Sequence, residues 1–276
     1  RLSGLEDARR RWGAAADRIA QSYAVGDPLA DEAVASMASD PEAAERALAR
    51  GLGCGVIEGP DALRRFIEDA WRPRAFLDPE RCDRGAAVLR RFAPWTALVL
   101  RCEALPRAYA SPVGNKPLAM TRRLTDQAAH RLRSTARFVW STQQPGAMRD
   151  GGPAAVACAR VRWTHATVRA RLRQHGWNPA WGVPLPQADL AATGLLFGVV
   201  AVEGLRRLGA AIDEATPCLV TSIEEFGQYL SSIGMAYTDV LAEEPRLLQL
   251  IVVQAAGVDQ EMSQRFHRMY DSGAAV

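Results

Sequence analysis

The chain has 276 residues, of which 48% are hydrophobic and 24% charged, and its formal net charge is +3. These are ordinary values for a globular protein, and the abundance of alanine and arginine favours helices over strands. The five cysteines are scattered and form no C-x-x-C pair, so a disulfide scaffold and a zinc cluster are both poorly supported. We therefore expect a single all-α domain over residues 1–276.

The first ninety residues have helix signals but no recognisable chemistry. Residues 4–24 have the pattern of one amphipathic helix. Asp40 followed by Pro41 is typical of a capped helix start, and the glycines of 51–55 predict its end. A further helix is predicted to start at Asp61. We interpret residues 1–90 as an N-terminal helical layer on a core formed by residues 95–210.

The next two predicted helices are candidates to line a pocket. Residues 94–110 are apolar enough to form its wall, and residues 121–142 form a second helix with polar groups on its inward face. The periodic positions on that face are Leu124, Ala128, Arg131, Thr135 and Phe138. An arginine on a core-facing stripe is costly unless it meets an anion or lines a wet pocket.

A histidine interrupts the apolar face of the following helix. Glycines and prolines in 143–153 separate the two helices, and steps of three and four then connect Cys158, Val161, His165, Val168 and Leu172. A buried imidazole needs partners for its nitrogens. The simplest interpretation of His165 alone is a hydrogen-bonded core histidine, and a metal ligand is the alternative. The two helices predict a pocket between them.

The remaining sequence is mainly helical in character. Two tryptophans stand in a proline-rich loop over 176–186, and 187–208 is almost continuously apolar, which favours a central buried helix. Residues 213–270 predict two or three more helices. No run of eighteen apolar residues appears, so we expect no membrane span and a cytoplasmic protein.

Four motifs resemble a known family. They are Arg131-x-x-Ser134-Thr135; the segment from Val161 to Arg169 around His165; Gly182-Val183-Pro184-x-Pro186-Gln187-x-Asp189-Leu190-x-x-Thr193; and Gly204-Leu205-Arg206-Arg207-Leu208-Gly209. They resemble the superfamily of latex-clearing proteins (rubber oxygenases) and mycophenolic-acid oxygenases, and the resemblance covers roughly residues 95–210.

This resemblance implies an all-helical protein that binds heme b. His165 would correspond to the proximal iron ligand, and Arg131 and Thr135 to distal-pocket residues. Rubber-cleaving members have a lysine at the position of Ser134, so the distal site here is expected to be open or water-filled. The pocket carboxylate of the family has no clear match, because Asn115 and Lys116 stand in that segment. The resemblance therefore leaves the reaction type open among cleavage, hydroxylation, dehydrogenation and isomerisation.

Other residues near His165 complete the predicted site. Arg162 and Arg169 flank the histidine, and their guanidinium groups are candidates to bind heme propionates, with solvated helix faces as the alternative. Arg131, Ser134 and Thr135 are predicted to be catalytic.

The sequence thus predicts a heme b oxidoreductase of the oxygenase or peroxygenase type, with iron on His165. Its substrate would be a small hydrophobic molecule of specialised metabolism, used with dioxygen or peroxide. A non-catalytic heme carrier or sensor is the first alternative. The arginines between 160 and 173 also have the pattern of a nucleic-acid recognition helix, but the small net charge makes a nucleic-acid partner the least favoured interpretation.

Overall fold

The computed structural model describes residues 4–72, 78–109, 111, 113–121 and 128–212, and all regular structure in these ranges is helical. The prediction of an all-α fold is confirmed. The helices are α1 (Leu5–Trp12), α2 (Ala14–Ser22), α3 (Pro28–Ser36), α4 (Pro41–Cys54), α5 (Asp61–Trp71), α6 (Pro79–Arg91), α7 (Ala93–Val99), α8 (Leu105–Tyr109), α9 (Lys116–Met120), α10 (Ala128–Thr142), α11 (Pro153–Gln174), α12 (Gln187–Leu195) and α13 (Ala201–Arg207). The helices predicted over 213–270 lie outside the described residues.

Side-chain caps and prolines fix several helix starts. Asp27 and Asp40 each accept a hydrogen bond from the backbone N–H three residues later, and a proline follows each of them at the first helical position. The single helix predicted over 4–24 is wrong. Gly13 has a φ of +55°, which a glycine adopts without steric cost, and it separates α1 from α2.

The N-terminal helices share a hydrophobic core with α11. Leu48, Leu63 and Phe66 are almost fully buried, and they pack with Trp163 and Ala166 of α11 in one cluster. The ring centroids of Phe66 and Trp163 are 6.0 Å apart. The N-terminal region is therefore part of the scaffold that holds the histidine-bearing helix, a closer role than the outer layer that the sequence predicts.

Two long helices each contain a π-helical turn. Leu100–Ala104 joins α7 to α8, Leu196–Val200 joins α12 to α13, and the two turns pack against each other. The helices approach closely because Gly204 has no side chain: a Cβ atom there would lie 2.3 Å from Cγ1 of Val99. Turns of this kind accommodate one extra residue and are frequent near functional sites.

The helix Gln187–Arg207 is long and apolar enough, by length and composition, to cross a membrane. This is weak evidence, because core helices of soluble proteins have the same composition and 56% of its most apolar stretch is buried against the rest of the protein. The expectation from the sequence that this segment is a central buried helix agrees with that burial.

Candidate active site

His165 lies near the middle of α11, the longest helix in the described part of the chain. Its neighbours on the predicted apolar stripe, Cys158 and Leu172, are 1% and 3% exposed, whereas the histidine itself is half-buried. The Nδ1 atom is among the buried atoms of the ring. One edge of the imidazole is thus inside the protein while the residue keeps some access to its surface.

The helix α10 packs against α11. Of the predicted inward positions, Leu124 lies outside the described residues. Arg131, Thr135 and Phe138 are half-buried, while the residues between them are mostly exposed. Ser134 is exposed, and its hydroxyl donates to the carbonyl oxygen of His130 at 3.0 Å. Arg131 and Thr135 are thus both half-buried on α10, whereas Ser134 is exposed although it stands only three residues after Arg131.

Arg131 is held in an unusual setting for an arginine. Its Nη2 donates to the hydroxyl of Tyr109, and its guanidinium carbon lies 5.6 Å from the centre of the Tyr109 ring. No carboxylate pairs with it among the described residues, and its buried Nε has no hydrogen-bond partner there. A buried donor without an acceptor costs free energy, so this N–H is suited to donate a hydrogen bond to an anionic or electron-rich ligand.

Arg162 has a different environment from the one predicted. It is 1% exposed and donates from Nε and Nη2 to the two oxygens of Asp27, at 2.7 and 3.1 Å, and from Nη1 to Asp69 at 2.9 Å. It also stacks over Phe66 at 4.9 Å. Burial alone would lower the pKa of Arg162, but the hydrogen bonds and charges of Asp27 and Asp69 outweigh it and raise the pKa above its ordinary value.

Arg169 is likewise turned into the protein. It is fully buried, its Nε donates to Asp31 at 2.7 Å, and its Nη1 donates to the carbonyl oxygen of Leu185 at 3.4 Å. The two arginines therefore join α11 to α3 and α5 by ion pairs. Their role as propionate ligands stays a prediction, and these carboxylates already account for the burial of both. Neither is available to a nucleic-acid backbone, which weakens the recognition-helix interpretation.

The carboxylates of these ion pairs were not predicted from the sequence. Asp27 reads as a helix cap, a role that it also has, and the local pattern gives no hint of its second partner. Asp69 carried a usable signal, because it lies one turn after Phe66 on the inward face of an amphipathic helix. An inward carboxylate on one helix and inward arginines on another predict a buried ion pair.

The described residues contain no group of three or more histidine, cysteine, aspartate or glutamate side chains that could hold a metal ion. A site of the zinc type is therefore absent from this part of the chain. Heme has different requirements, since one histidine is enough to ligate its iron. The half-buried imidazole of His165 on α11 is compatible with a single heme-iron ligand. Arg131 on α10, which has no carboxylate partner among the described residues, is compatible with a polar group in the same site.

No family model matches the chain, and neither a curated protein nor a solved structure shows significant similarity.

Proposed function

We propose that the protein is a heme b-dependent oxidoreductase that oxidises a small hydrophobic substrate with dioxygen or peroxide. The observation that supports it best is the position of His165 on α11, with Nδ1 buried and the residue still half-accessible. A histidine that ligates iron uses one nitrogen for the metal, and the protein fixes the ring through the other. Iron held in this way supplies the redox chemistry and the site where the oxidant binds.

Arg131 would be the main polar group of the pocket. Its positive charge is not neutralised by a carboxylate in the described part of the chain, and Tyr109 fixes its orientation by hydrogen bond and ring contact. A positioned guanidinium stabilises negative charge that develops on a bound oxidant or substrate. Thr135 lies one turn further along the same face and would add a hydroxyl. We leave Ser134 out of the pocket because it is exposed.

Arg162 and Arg169 would be positioning residues. They stand three residues before and four residues after His165, and both are anchored to carboxylates of the N-terminal helices. Two anchors on either side of one residue restrict rotation and sliding of α11. They would thereby hold the imidazole in a fixed orientation, which is the usual task of residues around a metal ligand.

The alternative within the same proposal is a heme carrier or sensor without turnover. Consumption of hydrogen peroxide by the heme-loaded protein separates the two. An enzyme should consume peroxide faster than free hemin, and Arg131→Ala should slow it by about two orders of magnitude while heme content stays constant. Tight heme binding with peroxide consumption no faster than that of free hemin would support the carrier instead.

A further inference from the structure

The helix α7 has an apolar face that no part of the described chain covers. Its inward side is closed, because Val99 is buried and lies against Gly204 of α13. On the other side Trp95 is 55% exposed and Leu98 is 43% exposed, and Cys102, one turn further along in the π-helical turn, is exposed as well. We call these three residues the outer face of α7. Large apolar side chains exposed next to one another mark a surface that another segment or a partner covers.

Positive charge without a partner stands at both ends of the outer face. Arg91 and Arg101 are exposed, and neither pairs with a carboxylate among the described residues. Glu103, two residues after Arg101, pairs with Arg107 and Arg207 instead. A surface that is apolar in the middle and cationic at its ends fits an amphipathic helix with acidic residues beside its apolar stripe.

The chain leaves the described residues next to this face. Ile212 is the last described residue, and it is buried in the cluster against which Phe92 packs. Its carbonyl oxygen accepts a hydrogen bond from Nε of Arg206 at 2.9 Å, which fixes the main chain at this point. Phe92 stands about one helical turn before Trp95. Residues 213–276 therefore start close to the outer face.

The sequence that follows has the matching pattern. Apolar side chains recur there at alternating steps of three and four residues, which is the stripe of an amphipathic helix: Ile223, Phe226, Leu230, Ile233, Tyr237 and Val240. Between 213 and 245 there are seven acidic residues and no lysine, arginine or histidine. A helix over 223–240 would be about 27 Å long, which exceeds the rise of about 15 Å from Arg91 to Arg101.

We propose that residues 223–240 form a helix whose apolar stripe packs on the outer face of α7, with its acidic residues toward Arg91 and Arg101. Contact with Trp95 and Leu98 removes apolar surface from water, and the opposite charges select the orientation. The segment is tethered beside the face, so its effective concentration there exceeds that of a second copy of the chain. This inference does not depend on heme, since none of these residues belongs to the proposed oxidoreductase site.

Alkylation of Cys102 by iodoacetamide in the full chain, followed by mass spectrometry, tests the proposal. A covered thiol reacts only when the covering segment opens, so Ile233→Ser should increase the rate at Cys102 at least about tenfold over wild type. Cys54, which is exposed on α4, is the internal reference and should react equally in both. Met235→Ser changes an apolar residue off the stripe and should leave the rate at Cys102 as in wild type. Cys158, which is buried, should stay unreactive if the described fold is intact.

Hydrogen exchange tests the contact from the other side and decides the matter if Ile233→Ser does not fold. Leu98→Asp should increase amide exchange over 223–240 at least about tenfold. Leu132→Asp is the matched control, because Leu132 is 40% exposed on α10 and lies outside the proposed contact.

The proposal is overturned if Cys102 reacts as fast in wild type as in a folded Ile233→Ser, or if Leu98→Asp leaves exchange over 223–240 unchanged. A wild-type dimer in sedimentation that Leu98→Asp dissociates, with no change in that exchange, would assign the outer face to a second copy of the chain instead.

Discussion

Replacing Arg162 with methionine tests whether this residue is a scaffold group or a heme ligand. The side chain is 1% exposed and makes three hydrogen bonds to two carboxylates that are 2% and 7% exposed. Arg162→Met keeps much of the volume but removes the cation that both carboxylates bind. Asp69 then has only the more distant Arg72, whose Nη1 lies 4.0 Å from its Oδ1, among the ion pairs of the described residues. Breaking a buried ion pair from one side costs about 3–5 kcal/mol of unfolding free energy, and we expect a loss within this range.

The assay is urea unfolding of the heme-free protein, followed by far-ultraviolet circular dichroism. Arg160→Met is the matched control, because Arg160 is exposed on the same helix and should change stability by less than about 0.5 kcal/mol. Adding Asp27→Asn and Asp69→Asn to Arg162→Met should restore a large part of the loss, since the amides carry no charge. If Arg162→Met unfolds like wild type without heme and loses stability only when heme is present, the scaffold role is wrong.

Two further substitutions test local energetics. Removal from water raises the pKa of the partly buried Asp189 from 3.8 to about 6, so its charge costs up to about 3 kcal/mol above pH 6, a cost that disappears as the pH falls below about 4. Asp189→Asn should therefore raise the melting temperature near pH 7.5 but not near pH 4. An equal rise at both pH values would show that the charge of Asp189 is not the cause. Gly204→Ala should lower the free energy of unfolding by about 1–3 kcal/mol, because the new Cβ would lie 2.3 and 2.8 Å from Cγ1 and Cγ2 of Val99. Combining it with Val99→Ala removes both of these atoms and should restore part of the lost stability. Gly53→Ala should instead stabilise α4, because nothing lies within 4 Å of its new Cβ. If Gly204→Ala and Gly53→Ala change stability by similar amounts, helix propensity and not the clash with Val99 determines the effect.

Helix positions were predictable where the signal is local. Asp40 with Pro41 marks a cap, the glycines and prolines of 143–152 separate α10 from α11, and the apolar run from 187 matches a continuous helix to Arg207. The break at Gly13 was missed because a single glycine is tolerated in a helical pattern, and only its φ of +55° distinguishes the turn. On α10, the half-buried state of Arg131 and Thr135 agrees with the helical period of the predicted inward face, whereas the period does not distinguish them from the exposed Ser134.

The ion pairs could not be predicted in the same way. Arg162 lies 135 residues from Asp27 and 93 residues from Asp69, and periodicity within one helix does not identify a partner on another. An arginine near a histidine on the same helix has the same sequence pattern whether it binds a heme propionate or forms a buried structural ion pair. Only the packing of α3 and α5 on α11 distinguishes the two, because it brings the carboxylates into hydrogen-bond distance.

The most direct test of the proposed function is a hemin titration of wild type and His165→Ala, followed by the Soret absorption band. His175→Ala is the matched control, because His175 is exposed at the end of α11 and its Nδ1 lies 2.7 Å from the carbonyl oxygen of Arg171 in its own helix. Wild type and His175→Ala should bind one heme per chain with the same spectrum, whereas His165→Ala should lose stoichiometric binding and keep its helical content. One heme per chain with an unchanged ferric spectrum in His165→Ala would contradict the assignment of the iron ligand, and no heme binding by wild type would contradict the proposed function.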